Sequence, residues 1–161
     1  VDSLLTDSDE ADDLIATLAI KMSAQQQQVT IISTDKGYCQ LLRPYIQIRD
    51  YFNKRWLDEQ FVAEKFGVRP DQLADYWALT GVSGSHLAGV AGIGPKTATQ
   101  LLVEHDNLDA IYASSELAKG TATKLNSHKD MAYITQQLAR LKIDIPLGFN
   151  LKDLRYSEVV R

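Results

Sequence analysis

Acidic residues occur at two places in the sequence, where a predicted helix begins and where a predicted strand ends. Glu10, Asp12 and Asp13 stand at the start of the helix, and Asp35 follows the β-branched run at 29–33. Carboxylates in these positions can converge on one hydrated divalent ion, because Mg²⁺ prefers one or two carboxylates together with waters and substrate phosphate oxygens. The alternative is that the acidic turn only complements the helix dipole.

A second candidate site is the glycine-punctuated turn at 89–98, which runs directly into an apolar helix. Gly92 and Gly94 allow the main chain to approach a ligand closely, and Pro95 suits the first helical position. The unpaired N–H groups at this helix start, together with Lys96, are suited to binding a phosphate. The alternative is a plain turn between two helices.

The apolar pattern around these sites predicts an α/β half followed by an all-helical half, divided near 68–70 into regions 1–68 and 69–161. In the first half we expect a helix capped by Ser8 or Asp9, strands at 29–33 and 45–51, and a helix at 57–66 that stops at Gly67. In the second half we expect helices at 70–79, 95–104, 108–112, 121–127 and 129–141, and a short extended segment at 143–147.

Apolar residues at helical spacing identify the helix faces that we expect to be buried. These residues are Leu14, Ile15 and Leu18 in the first helix, and Met131, Ile134, Leu138 and Leu141 in the last. We also expect Trp56 and Trp77 to pack into the core, with base stacking as the alternative.

The charge of the chain limits how it can bind nucleic acid. With 161 residues, 45% hydrophobic and 24% charged, the composition is that of an ordinary globular domain, and the formal net charge is −4. A broad positive electrostatic potential over the surface is therefore excluded, and any DNA-binding site must rely on a local cluster of basic residues. Basic residues do cluster, although each cluster taken alone is better explained as a solvated face: Arg43, Arg49, Lys54 and Arg55; Lys96; and Lys119, Lys124, His128 and Lys129.

The remaining features of the sequence concern the cellular compartment, the oligomeric state and the extent of the chain. Cys39 is the only cysteine, so no disulfide forms within the chain and we expect a cytoplasmic protein. We also expect a monomer. No apolar run is long enough to cross a bilayer. The chain opens with Val1 rather than methionine, and predicted elements follow almost at once, so we expect an N-terminal portion to precede it.

Three motifs in this order resemble the 5′-to-3′ exonuclease and flap endonuclease family. They are Glu10-Ala11-Asp12-Asp13, Ser33-Thr34-Asp35-Lys36 and the hairpin at 89–98, and the segments at 37–42 and 49–51 are most similar to the bacterial exonuclease IX subgroup. The resemblance implies an α/β fold: the C-terminal part of a parallel-sheet, PIN-like nuclease core that holds Mg²⁺. An all-α helix-hairpin-helix module, of the helix-three-turn-helix form, would follow and hold the duplex part of flapped or nicked DNA.

By position, Asp12 resembles the Mg²⁺ ligand of the family, and Glu10, Asp13 and Asp35 resemble further catalytic carboxylates around it. The chain departs from the family where three other carboxylates stand in members with two metal sites. Gly37, Val82 and Ser85 occupy those places, and neither glycine nor valine offers a side-chain oxygen to a hard cation. We therefore expect the second metal site to be lost and hydrolysis to be weaker or differently tuned.

The resemblance also assigns residues of the hairpin to two ligands. Those that match the DNA-contacting segment are Gly92, Ile93, Gly94, Pro95, Lys96 and Thr97. Those whose main-chain carbonyls match a K⁺ site are Leu79, Thr80, Ala88, Val90 and Ile93. A K⁺ ion there would add positive potential toward a phosphate.

Two hypotheses of function follow from the sequence. The first is a Mg²⁺-dependent flap endonuclease-like protein that acts on DNA with a 5′ single-stranded arm. Its other catalytic residues would lie in the preceding portion, so this chain alone is not expected to cut DNA. The second is a non-catalytic DNA-binding module that kept the hairpin, and a weaker third is an interaction domain whose hairpin only packs helices.

Overall fold

The first half of the chain is built on a three-stranded sheet flanked by helices. The computed structural model describes residues 2–5 and 7–156. The elements of this half are α1 (Ala11–Ala24), β1 (Val29–Ile32), a 3₁₀ helix (Lys36–Leu41), β2 (Ile46–Asp50), β3 (Arg55–Trp56) and α2 (Glu59–Phe66). The sheet is mixed, because β1 pairs with β2 in parallel and β2 pairs with β3 in antiparallel.

The second half of the described chain is entirely helical. Its elements are a 3₁₀ turn (Pro70–Gln72), α3 (Leu73–Thr80), α4 (Pro95–His105), α5 (Leu108–Ala113), α6 (Lys119–Ser127), α7 (Lys129–Ala139) and a 3₁₀ turn (Leu151–Leu154). Helix α3 is the centre of this half, since every residue from Leu73 to Leu79 is buried. No helix among the described residues has both the length and the apolar character needed to cross a membrane.

The capping residues act as the sequence indicates in α2. Asp58 accepts a hydrogen bond from the Phe61 backbone N–H at 2.8 Å, and Gly67 ends the helix in the left-handed conformation. At α1 the expectation is wrong, because the helix begins after Glu10 and no side chain caps it. A capping group at Ser8 or Asp9 lies outside the helix start.

The C-terminal segment returns to the first half and packs on α1 and the Lys36–Leu41 3₁₀ helix. The Gln40 side-chain amide donates to the Ala139 carbonyl at 3.0 Å and accepts from the Leu141 N–H at 3.0 Å. The Thr17 hydroxyl bonds the Lys142 carbonyl at 3.4 Å and the Ile145 N–H at 3.3 Å. The segment predicted to be extended at 143–147 therefore contributes a buried Ile145 but forms no strand.

The apolar stripe predicted to bury α7 faces solvent instead. Met131, Ile134 and Leu138 are 44%, 50% and 64% exposed, whereas Ala132 and Thr135 are buried. Polar contacts with the neighbouring elements set the rotation of the helix, since the Thr135 hydroxyl donates to the Ala88 carbonyl at 2.6 Å. The small side chains on this face allow α7 to approach α3 closely.

The two tryptophans differ in their surroundings. Trp77 is buried, as expected, with its ring edge-on to Phe66 at a centroid distance of 5.9 Å. Trp56 is 46% exposed, which corrects the prediction of a core position. It lies on the short strand β3, which the sequence pattern did not indicate, and the Arg49 guanidinium lies 5.0 Å from its ring centroid.

A buried carboxylate joins α3 to α7. Asp75 is 5% exposed, accepts a hydrogen bond from the Gln136 side-chain amide and lies 3.9 Å from the Arg140 guanidinium. Burial raises the pKa of the Asp75 carboxyl above its ordinary value of 3.8, against the opposing effects of Gln136 and Arg140. A carboxyl with a raised pKa in the folded state binds its proton more tightly when folded.

The free energy of unfolding should therefore depend on pH because Asp75 titrates differently in the folded and unfolded states. Its contribution is greatest below pH 3.8 and falls as the pH rises through the raised pKa. Asp75→Asn keeps an acceptor for Gln136 and does not titrate. We expect the unfolding free energy of this variant, relative to the parent, to increase with pH in urea denaturation measured from pH 4 to 8. Parallel pH profiles for the two proteins would contradict this assignment.

Candidate metal centre and nucleic-acid interface

Three of the four predicted acidic residues line a cleft of about 410 Å³ between the sheet edge and the helical half. Glu10, Asp12 and Asp35 line it. Gly37, Val82 and Ser85, the positions at which the sequence lacks further carboxylates, line the same cleft. The fold thus brings together the residues that three separate segments contribute to the predicted site.

Asp12 is oriented by a buried tyrosine. The Tyr38 hydroxyl donates a 2.6 Å hydrogen bond to Asp12 Oδ1, and Tyr38 is only 4% exposed. Burial, reinforced by the Asp12 carboxylate, raises the pKa of Tyr38 above its ordinary value, so the hydroxyl stays protonated and remains a donor. A carboxylate accepts about four hydrogen bonds, which leaves Asp12 capacity for a further ligand.

Asp35 caps the 3₁₀ helix that follows β1. Its Oδ1 accepts from the Gly37 N–H at 2.7 Å, and its own N–H donates to the Ser33 hydroxyl at 3.0 Å. A Cβ at position 37 would lie 3.1 Å from Asp35 Oδ1. A side chain at position 37 would therefore displace this carboxylate oxygen by a few tenths of an ångström.

Asp13, the fourth predicted carboxylate, is not among the described residues that line the cleft. It is 8% exposed, and its Oδ1 accepts a 2.9 Å hydrogen bond from the Lys142 backbone N–H. Helix geometry separates Asp13 from Asp12 by about 100° around the axis, so adjacent residues face different neighbours. Asp13 thereby fastens the returning C-terminal segment to α1, and its part in a metal shell stays a prediction.

The chemistry of the donor set suits a hydrated ion. Within residues 2–5 and 7–156, no group of three or more His, Cys, Asp or Glu side chains is arranged to hold a metal. A closed protein cage is therefore not formed by the described chain. Mg²⁺ binds through one or two carboxylates and keeps several waters. The Asp12 carboxylate fits that mode, and Glu10 and Asp35 line the same cleft.

The hairpin depends on a close contact between two backbone segments. A Cβ at Gly89 would overlap the Leu79 carbonyl oxygen, the Thr80 carbonyl carbon and the Gly81 nitrogen. The Val90 N–H donates to the Leu79 carbonyl at 2.9 Å, and the Ile93 N–H donates to the Val90 carbonyl at 3.0 Å. Only glycine permits this approach, which closes the turn against the end of α3.

The start of α4 is open for a ligand. Gly94 is its N-cap residue and offers no side-chain cap, and Pro95 occupies the first turn. Gly92, Gly94, Pro95 and Lys96 are exposed, whereas Ile93 is buried at 5% exposure and anchors the turn. Uncapped N–H groups with an adjacent lysine are the features of a helix start that can bind an anion.

The carbonyls predicted to surround K⁺ come from the segments that converge at Gly89. The Leu79 and Val90 carbonyls each accept a backbone hydrogen bond, and the Ala88 carbonyl accepts from Thr135. Each carbonyl has two lone pairs and so retains capacity for a cation. Thr80 also lies beside Gly89.

Two family models together match the whole chain. One, described as 5′-3′ exonuclease, N-terminal resolvase-like domain, matches residues 1–67, and the other, described as 5′-3′ exonuclease, C-terminal SAM fold, matches residues 68–161. The chain belongs to the 5′-3′ exonuclease family. Its fold is therefore a resolvase-like α/β domain followed by a helical SAM-like domain.

Curated relatives of this 5′-3′ exonuclease family member carry the name flap endonuclease Xni. The protein from Vibrio cholerae is 59% identical over 157 residues, covering 98% of this chain and 61% of the relative. The protein from Aeromonas hydrophila is 58% identical over 158 residues, covering 97% of this chain and 59% of the relative. The chain spans about three fifths of the length of these curated relatives.

Solved structures of the family share the fold. A mutant of the T5 5′-exonuclease superimposes with a TM-score of 0.74 at 24% identity, over 83% of this chain and 56% of that chain. The T5 5′-exonuclease with bound zinc ions gives the same TM-score over 50% of that chain. The mixed sheet and the helices therefore form a 5′-3′ exonuclease fold.

Lys124 contacts the hairpin of this 5′-3′ exonuclease family member, and the sequence analysis did not assign it there. Lys124 on α6 donates from its Nζ to the Gly92 carbonyl at 3.3 Å, and its side chain lies beside Gly92. It reaches the turn from 32 residues along the chain. The sequence places it only in a downstream basic cluster, and no local pattern links that cluster to the turn.

Replacing Gly89 should test the backbone contact. We expect Gly89→Ala to destabilise the 5′-3′ exonuclease fold by about 3 kcal/mol, because backbone atoms must move to admit the Cβ. The expected fall in thermal midpoint is about 6 to 12 °C. The matched control is Gly120→Ala on α6, where a Cβ meets nothing within 4 Å and helix propensity favours alanine by about 1 kcal/mol. Equal midpoints for the two variants would rule out the contact.

Proposed function

We propose that this chain is the C-terminal part of a flap endonuclease-like protein that binds branched DNA with a 5′ single-stranded arm and hydrolyses phosphodiesters with Mg²⁺. The cleft that brings Asp12 together with Glu10 and Asp35 carries this proposal. The names of the curated relatives support it. A structural neighbour from bacteriophage T5, a flap endonuclease complex solved with DNA and metal ions, is compatible with it.

The two regions have separate tasks in this proposal. Residues 1–68 form part of the nuclease core, and residues 69–161 form the DNA-binding region, a division supported by the family-model boundary between 67 and 68. We propose that the protein works as a monomer in the cytoplasm. The buried lone Cys39 supports a reducing compartment.

Asp12 is the residue that we assign to hold the divalent ion, with Glu10 and Asp35 binding its waters. When bound, such an ion polarises the scissile phosphate and lowers the pKa of a water nucleophile. The Tyr38 hydroxyl keeps Asp12 oriented toward the cleft. Lys36 lines the same cleft and supplies a cation where the phosphate would arrive.

A reduced metal centre is the finer part of the proposal. Gly37, Val82 and Ser85 line the cleft without carboxylates, so we expect one ion to act where a pair of ions would stabilise the attacking and leaving oxygens together. The same observation favours a second candidate function, a structure-specific DNA-binding module without catalysis. The two candidates predict different effects of metal and of Asp12.

Asp12→Ala should reduce cleavage of a labelled 5′-flap DNA by about 100-fold or more in the full-length protein with Mg²⁺. Tyr38→Phe should reduce it by about 10-fold, because residues that orient a metal ligand typically affect metal affinity or activity by 10- to 100-fold. Asp144→Ala, which removes an exposed carboxylate outside the cleft, is the control. Gel assays with Mg²⁺ and with EDTA measure the products.

These measurements distinguish the two candidate functions. Product that is unaffected by EDTA and by Asp12→Ala would remove the enzyme hypothesis. Flap binding that persists without any cleavage would establish the non-catalytic module.

The hairpin is the proposed DNA-binding element. We propose that main-chain N–H groups in the segment 92–97 bind a phosphate and that Lys96 and Lys124 add two cations beside them. Because the chain has a net charge of −4, this local concentration of positive charge is needed for binding. A K⁺ ion held by the carbonyls around Gly89 would strengthen the same positive potential.

Lys96→Ala and Lys124→Ala should each weaken binding of full-length protein to flap DNA. Each should also lower the slope of log affinity against log salt by about 1, since each removes one phosphate-neutralising charge. Lys21→Ala, at the end of α1, is the matched control. Fluorescence anisotropy between 50 and 200 mM salt, a range of about fourfold in which such slopes are resolved, measures both quantities. If Lys96→Ala leaves the slope of log affinity against log salt unchanged, the hairpin is excluded as the DNA-binding element.

A further inference from the structure

The turn between β2 and β3 exposes two aromatic rings side by side in sequence. Tyr51 is 71% exposed and Phe52 is 86% exposed. We call these two residues the aromatic tip. An exposed phenylalanine forgoes the stabilisation that burial of its ring would contribute to folding.

A buried carboxylate holds the backbone of this turn in place. Asp50 is 0% exposed. It accepts from the Asn53 N–H at 3.1 Å, from the Asn53 side-chain amide at 2.7 Å and from Arg55 Nε at 3.2 Å. The Lys54 N–H closes the turn on the Tyr51 carbonyl at 3.2 Å. The aromatic tip therefore stands on a preorganised backbone, so a ligand need not pay to order it.

The charge around the tip suits a polyanion. Arg49, Lys54 and Arg55 lie in or beside the turn, and the one carboxylate among them, Asp50, is buried and paired with Arg55. Arg49 also stacks over Trp56, 5.0 Å from its ring centroid. Cations interleaved with exposed aromatic rings are the composition of surfaces that bind single-stranded nucleic acid.

The topology places the tip next to the candidate metal cleft. Strands β1 and β2 are parallel, with Ile32 opposite Arg49, so their carboxyl ends lie at the same edge of the sheet. The Ser33 N–H donates to the Arg49 carbonyl at 3.1 Å and joins the two strand ends. Asp35 follows one strand end and the aromatic tip follows the other.

We propose that the aromatic tip is a stacking site for an unpaired base of the DNA substrate, at or near the junction between the single-stranded arm and the duplex. Phe52 stacks on the base, Tyr51 supports it from the same turn, and Lys54 and Arg49 neutralise the flanking phosphates. This assignment rests on the proposed DNA-binding function and adds to it a residue set that recognises unpaired nucleotides.

The test uses full-length protein and two DNAs of the same sequence, a 5′-flap DNA and a nicked duplex without an arm. The flap DNA carries 2-aminopurine at the last unpaired position, whose fluorescence falls when the base stacks. Phe52→Ala should weaken flap binding about 10-fold, abolish the fluorescence change and leave nicked-duplex binding unaltered. Phe52→Trp should retain both signals. Tyr156→Ala removes an aromatic ring of similar exposure, 72%, and is the control.

Three outcomes would overturn the stacking site. They are unchanged flap affinity for Phe52→Ala, equal losses on flap and nicked duplex, and a lowered thermal midpoint of Phe52→Ala in free protein, which would show that another segment covers the ring. Lys96→Ala, measured in parallel, separates this proposal from the hairpin: it weakens both DNAs if the proposed function holds. If only the result expected for Phe52→Ala is not observed, the stacking site is rejected and the proposed function is retained.

Discussion

The contact between the end of α3 and the backbone of Gly89 constrains both candidate sites. The loop that leaves α3 carries Val82 and Ser85 into the carboxylate cleft, and the chain that follows Gly89 forms the turn that starts α4. Because Gly89 fits against Leu79 and its neighbours without space for a Cβ, the two parts cannot move independently. The position of the hairpin relative to the cleft is thus set largely by main-chain packing.

The sequence predicts best where the signal is local. Asp58 and Gly67 define α2 by capping, and the glycine and proline pattern locates the hairpin, because these effects act within a few residues. It fails where contacts between distant residues determine the structure. The hydrogen bond from the Lys142 N–H to Asp13 spans 129 residues and has no local sequence signal. The rotation of α7 likewise follows contacts with Ala88 and Asp75, so its apolar spacing gave the wrong face.

The candidate metal centre shows the same division. The resemblance located Asp12 and Asp35 by motif, and the fold places both in one cleft. Tyr38 could not be recognised from sequence as the partner of Asp12, since a tyrosine in an apolar 3₁₀ segment is ordinarily a core residue. Lys124 was hidden for a related reason: its helix lies beyond the hairpin, and only tertiary packing brings its ammonium to Gly92.

The return of the C-terminal segment to α1 has a consequence for biosynthesis. Thr17 and Asp13 bond to Lys142 over separations of 125 and 129 residues, so these polar groups of α1 lack their native partners until that segment has left the ribosome. Contacts of such long range are closed late and slow the folding of a domain. At about 5 to 20 residues per second, synthesis of the intervening chain takes roughly 6 to 26 seconds. During that interval water takes the place of these hydrogen-bond partners of α1.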